Sequence, residues 1–413
     1  MVWFNNYLVE RKHNDKEIII IKLRNIVNFI NSNKYICMIL VSIIALIFRL
    51  KYLNNAGGDY DGFLGDWSKY LRDNGGFKAI TSVDTDYNVL YLYFLAFFTY
   101  LPIKDLYLIK FLSFIFDFIM AIAGYYLISY FKKDDINKNL YSLIVFAGIL
   151  LMPTVILNSS RWVQCDSVYT AFLFISLYFM LKEKYNLSFI FFGVAITFKL
   201  QAIFLLPAIG IIYLKNRDFS FAKFFWVPLV NFIIYIPAII IGKPISSIFD
   251  AYISQTGKYA YKTTLGYPNI YYFFSLDRVD LIKPGIIFTM LLLFLLMVFV
   301  LCTKEKLKDR DLIELSVTVI FLVTFFLPEM HDRYAYTAEV LSLIYFFIIK
   351  RDWLILIMIN INAYADYASY LDGVPEEIMP IIAVYQLVVV CYFVFNFIRH
   401  RIKQEDLNVI KNS

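Results

Sequence analysis

Apolar runs near membrane length alternate with short polar connections along almost the whole chain. A helix rising 1.5 Å per residue needs about twenty apolar residues to cross a ~30 Å hydrocarbon core. Such runs, some a little shorter, predict spans at 35–53, 106–131, 140–158, 166–182, 224–242, 284–302, 312–328, 334–349, 353–366 and 378–398. Two stretches break the pattern. Residues 87–102 are apolar but short and follow Asp84-Thr85-Asp86, which predicts a partly submerged helix that does not cross. Residues 187–214 are apolar throughout except for Lys199 and Gln201 near their centre.

The positive charges decide between the possible topologies. Cytoplasmic loops collect lysine and arginine, and the clusters stand at Lys132/Lys133/Lys138, Lys182/Lys184, Lys215/Arg217/Lys223, Lys304–Arg310, Lys350/Arg351 and Arg399–Lys403. All of them face the cytoplasm only if 87–102 stays on one side and 187–214 enters and returns. Each arm of that hairpin reaches only about 21 Å, so its apex at Lys199 and Gln201 sits inside the membrane. The prediction is an all-α polytopic protein with about twelve crossings, counting the short hairpin as two. Residues 1–34 form a basic cytoplasmic segment, with a surface-lying amphipathic helix expected near Lys16–Ile30. Residues 35–398 form the transmembrane domain, with outer loops at 54–105 and 243–283, and 399–413 a cytoplasmic tail.

Composition agrees with this frame. Hydrophobic residues make up 60% of the 413 and charged ones 17%, which no soluble globular domain requires. The net charge of +6 is divided among short loops, so it reads as a topology signal and not as a nucleic-acid surface. Four scattered cysteines form no CxxC pair and read as packing residues. The polar stretch before the first span is unlike a cleaved signal peptide.

Candidate chemistry collects on the outer side. The first loop, Asn54–Trp67, carries three carboxylates in eight residues, Asp59, Asp61 and Asp66, among glycines and aromatics. The connection Asn158–Asp166, the apex Lys199-Leu200-Gln201 and the turn Pro328–Tyr334 face the same side. There is no P-loop and no GxGxxG after a strand. A carboxylate cluster beside a cationic one suits a reaction with a base at one end and an anionic leaving group at the other.

Six short motifs carry a resemblance. They are Gly58-Asp59-Tyr60 with Phe63-Leu64 and Trp67, Asn74–Phe77, Asp86–Tyr93, Trp162–Ser167, Phe198–Pro207 and Leu327–Tyr334. In this order they resemble the bacterial membrane glycosyltransferases of the GT-C fold, related to the mannosyltransferases of GPI-anchor and dolichol-linked oligosaccharide assembly. The chain departs from that pattern at Leu90, where the family has proline, and at Asp332, where it has glutamate. The resemblance implies a polyprenyl-phosphate sugar donor, a glycan or lipid-linked acceptor, an extracytoplasmic site in a bacterial plasma membrane and no cofactor or metal. It makes Asp59 the general base, with Asp61 the alternative if the loop is offset by two. His331 and Arg333 would hold the donor phosphate, with Lys199 beside them. Tyr60, Trp67, Asp86, Tyr87, Trp162, Gln164, Asp166, Gln201 and Tyr334 would line the cavity.

Plainer readings stand beside these. Asp61 and Asp66 read equally as solvated acids, and His331 and Arg333 as a helix-end salt bridge with Asp332 or Glu329. Lys199 reads as the counter-ion of an intramembrane acid such as Asp117, and Trp67 and Trp162 as interfacial belt residues. At the level of function the rival is a transporter or flippase of lipid-linked saccharides. A reporter fused after Lys138 is expected to read cytoplasmic; an extracytoplasmic signal there overturns the twelve-crossing map.

Overall fold

The computed structural model describes residues 22, 24–249, 262–274, 277–349 and 352–412, with side chains described to 406. Residues 16–21 and 23 of the expected surface helix at 16–30 lie outside the described residues, as do the middle of the 243–283 loop, Lys350 and Arg351. Among the described residues the protein is helical apart from one two-residue parallel strand pair, Thr264–Leu265 with Met330–His331.

Asp105–Phe131, Phe221–Ile240, Val279–Cys302 and Glu376–Asp406 are each long and apolar enough to cross a membrane. Two bent pairs, Arg24–Ser32 with Lys34–Leu50 and Lys138–Leu151 with Pro153–Arg161, bring the number of candidate spans to six. That is fewer than the sequence predicts. Asp166–Leu181, Tyr185–Phe198, Leu200–Asn216 and Tyr336–Ile348 are apolar but only 10–17 residues long. Elsewhere the chain leaves α geometry where it presents polar groups to the interior. Pro153 bends one helix by 49°, and Leu157–Arg161 then widens into a π turn that carries buried Asn158, Ser159 and Ser160.

The two irregular stretches take distinct forms. Residues 87–102 fold as the ten-residue helix Val89–Phe98, about 15 Å long. Residues 187–214 split into Tyr185–Phe198 and Leu206–Asn216, with extended backbone at Lys199 and a 3-10 turn over Leu200–Leu205. Tyr185 at the start and Tyr213 near the end both pack on Phe219, at 4.8 and 5.4 Å between ring centroids. The chain therefore enters and returns to the same end of the bundle.

That end is also where the basic loops meet. Lys182 lies over the Tyr130 ring, Tyr130 donates to Asp309 at 2.6 Å, and Lys306 pairs with Asp218 at 2.8 Å. The final helix runs on to Asn412 instead of ending at 398, and Arg401, fully buried, docks against Thr303, Glu305, Lys306 and Asp311. The expected tail is thus packed at its root. Asp105–Phe131, about 40 Å long, separates this end from the acidic loop, and Arg72 in the helix Gly65–Asp73 after that loop pairs with Asp105. Gly124 lets a neighbour close in: a Cβ there would collide with the Ile149 side chain.

A buried ion pair ties the first helix to this frame. Arg49 donates to Asp117 at 2.8 Å with both side chains fully buried, and also to the Ala45 and Leu150 carbonyls; Ser159 completes Asp117 at 2.6 Å. Asp117 is therefore the partner of Arg49, not of Lys199. Arg49→Met strands a buried carboxylate and is expected to cost about 3–5 kcal/mol. Adding Asp117→Leu should recover most of that loss. Unfolding midpoints of the single and double variants in one detergent measure both, and a double variant no better than the single contradicts the pairing.

Candidate active site

At the end opposite the basic loops, four distant segments wall a cavity of about 670 Å³. The acidic loop supplies Asp59, Phe63 and Trp67; the turn before the short helix supplies Asp86 and Tyr87; the hairpin apex supplies Lys199 and Gln201; the turn Pro328–Tyr334 supplies His331, Arg333 and Tyr334. Gln164 completes the floor.

The acidic loop is held by a residue that its own sequence does not show. Lys110, buried within Asp105–Phe131, donates to the backbone carbonyls of Tyr52, Leu53 and Asn55 at 2.6, 3.2 and 2.5 Å. Gly57 and Gly58 then pass where side chains would not fit. A Cβ at 57 would lie 2.9 Å from the Trp162 carbonyl oxygen, and one at 58 would lie 2.8 Å from the Tyr370 hydroxyl. The chain next turns through a π-helical segment, Tyr60–Leu64, and this sorts the acids. Asp59 faces the cavity, whereas Asp61 and Asp66 are exposed and do not line it. Tyr60 turns away toward Asp105 and Leu106.

Asp59 is heavily engaged. Gln164 Nε2 donates to its Oδ2, Tyr370 donates to Oδ1 at 2.8 Å, and Arg333 stands 3.4 Å from Oδ2. Gln164 is aimed by strained backbone: Val163 has φ +64° and is fully buried, an unusual conformation for a β-branched residue. Ser113 holds the Gln164 carbonyl at 2.7 Å, and Tyr87 donates to its side-chain oxygen at 3.3 Å.

Behind Asp59 lies a buried charge cluster. Lys199 pairs with Asp166, which also accepts from Asn158 at 2.7 Å and faces Arg333 Nε at 3.7 Å. Arg333 meets Asp332 at 3.4 Å, so the plainer reading of it as a partner of Asp332 is present but incomplete. Its guanidinium stands over Trp162, 5.3 Å from the ring centroid. Trp162 is fully buried and stacked on Tyr370 at 4.2 Å; it supports Tyr370 from beneath, does not line the cavity as the sequence predicts, and is not an interfacial belt residue. The strand pairing Thr264–Leu265 with Met330–His331 fixes the turn that presents His331 and Arg333.

The electrostatics follow from this crowding. Burial opposes the charge on Arg333, but Asp59, Asp332 and Asp166 outweigh it and hold the guanidinium ionised. Burial lowers His331 to about 2, helped by Arg333 and Lys199, so at neutral pH the imidazole offers hydrogen bonds without charge. Burial pushes Asp332 up to about 7, with Arg333 opposing and Asp59 and Asp166 assisting.

The sequence did not point to Lys110, Tyr370 or Tyr367, and it marked Asn158 only as the start of a polar connection. A lysine inside an apolar run and tyrosines at 364, 367 and 370, one helical turn apart, were the available signals. Among the described residues, no group of three or more His, Cys, Asp or Glu side chains is placed to hold a metal ion. No family profile matches the chain, and no curated protein matches it significantly.

Asp332 gives a direct test of the cluster. With its folded pKa near 7 and an unfolded value of about 4, the folded state holds a proton that the unfolded chain releases. Its contribution to stability is therefore fully present below about pH 4 and is lost as pH rises through about 7. Asp332→Asn should flatten the pH dependence of the unfolding midpoint across that window. An unchanged slope would place the titration elsewhere.

Proposed function

We propose that this protein is an integral-membrane glycosyltransferase of the GT-C type. In this reading it has about twelve crossings, counting the hairpin as two, and its site faces the outside of a bacterial plasma membrane. It moves a hexose, mannose-like, from a polyprenyl-phosphate sugar to a glycan or lipid-linked acceptor and inverts the anomeric centre. The observation that carries the reading is the cavity in which a carboxylate, Asp59, and a guanidinium, Arg333, share one wall.

In the proposed step the acceptor O–H gives its proton to Asp59, and its oxygen forms the new bond to the anomeric carbon. The bond from that carbon to the phosphate oxygen breaks, and its electron pair leaves with polyprenyl phosphate. Arg333 binds two oxygens of that phosphate through its planar fork, while Lys199 adds charge and neutral His331 a hydrogen bond. A phosphate competing for Arg333 draws it from Asp59 and opens one lone pair of Oδ2, which keeps its hydrogen bond from Gln164, so donor binding itself uncovers the base. The substrate separates two groups that stand 3.4 Å apart without it.

The cavity walls support a lipid-borne donor. Ile203 and Ile286 line it and are also exposed at the molecular surface, and Ile286 belongs to Ile282–Cys302, an apolar helix long enough to cross a membrane. A polyprenyl tail could lie there with its phosphate at Arg333.

Purified protein incubated with a series of polyprenyl-phosphate hexoses should release polyprenyl phosphate from at least one. Asp59→Asn should lower turnover by roughly 10²–10⁴ with donor binding kept. Asp61→Asn and Asp66→Asn should have little effect. Arg333→Lys should weaken donor binding by about 1–3 kcal/mol, since charge remains and the fork is lost. Movement of a lipid-linked saccharide across vesicles without release of polyprenyl phosphate would favour the transporter reading instead.

A further inference from the structure

A second pocket, about 440 Å³, lies on the other side of Tyr370 from the main cavity. Its walls are the loop Asn55–Gly58, Arg161, Tyr370 and Leu371. Tyr370 also lines the main cavity and is the residue that donates to Asp59 Oδ1 at 2.8 Å. Gly58, in the wall of this pocket, is the residue immediately before Asp59. One carboxylate is thus within a residue of two openings that differ in character.

The main cavity is the one with an exposed apolar flank at Ile203 and Ile286. The second pocket is bounded largely by backbone amides and polar side chains. Its one cation is already satisfied: Arg161 donates to both Asp372 carboxylate oxygens, one at 2.9 Å, and to the Leu371 carbonyl at 3.1 Å. Its aromatic wall is rigid, because Tyr370 stacks on buried Trp162 with the two rings 8° from parallel. Lys110 holds the opposite wall through the Asn55 carbonyl. A preformed polar pocket of this volume, with no net charge to offer and an aromatic ring at one side, suits a neutral polyhydroxylated ligand.

We infer that this pocket is the acceptor subsite and takes a neutral sugar ring from the aqueous side, while the lipid-linked donor occupies the main cavity. The inference rests on the glycosyl-transfer reading and adds to it where the acceptor sits and that its terminal ring is uncharged. Tyr370 is the partition between the two substrates. An acceptor hydroxyl reaching past it meets Asp59 at Oδ2, the oxygen that Arg333 leaves when the donor phosphate draws it away.

The test uses the full chain in nanodiscs and saturation-transfer NMR with methyl glycosides of glucose, galactose and mannose. At least one glycoside should show ring-proton transfer that persists when polyprenyl phosphate is present. Asn55→Trp and Ala56→Trp each fill the pocket from an exposed position, so folding should be kept. Each should cut the signal at least fivefold while donor binding stays unchanged. Three results overturn the inference: no signal from any glycoside, signals unaffected by both variants, or displacement by polyprenyl phosphate alone. Donor cleavage is measured in the same samples. Cleavage without a variant-sensitive glycoside signal sinks the subsite alone, and absence of both removes the transfer reading as well.

Discussion

A guanidinium taken out of water must carry its counter-charges with it, and the cavity end of this protein is arranged around that requirement. Arg333 is largely buried, and its three carboxylate neighbours come from the acidic loop, the start of Asp166–Leu181 and its own turn. Lys199, from the hairpin apex, then neutralises Asp166. Breaking any one of these contacts leaves a charge in a medium that solvates it poorly. The cluster therefore fixes where four chain segments meet, whatever its net contribution to stability.

The same logic recurs away from the site. Arg49 with Asp117, Lys110 with three carbonyls, and Arg401 with the turn after Ile282–Cys302 each place a cation beneath the surface and satisfy it from a distant segment. Apolar helices in a membrane slide past one another at little energetic cost, since lipid and leucine are alike as neighbours. Buried charges remove that freedom. They set the register of helices whose apolar faces would accept many, and they leave Asp59, Gln164 and Tyr370 within hydrogen-bond distance.

Rigidity at the site has a second source in aromatic packing. Trp162 carries Tyr370 stacked on its ring and meets Tyr367 edge-on at 5.0 Å. The Arg333 guanidinium stands over the same ring. Two residues that flank Asp59 thus share one immobile support. The proposed base and anion-binding group would need such fixing for a substrate to be aligned between them.

Hydropathy alone carried the helical class, the membrane character and the two irregular stretches at 87–102 and 187–214, because burial in lipid or in protein leaves a periodic or continuous apolar record. Lys199, which interrupts that record, was legible for the same reason, Asp59 stood out in an acid-rich loop, and Arg333 was named through the motif resemblance. Which partner each one takes was not legible. Lys199 pairs with Asp166 and Arg49 with Asp117, choices that depend on helix rotation and depth. The π turn after Asp59 decides that Asp59 and not Asp61 faces the cavity, a difference of two residues that composition does not register. Tyr370, 311 positions from Asp59, and the buried position of Trp162 emerged only when the last third of the chain folded back on the first. A sequence records which side chains are costly to leave alone in an apolar medium; only the packed structure settles what keeps them company.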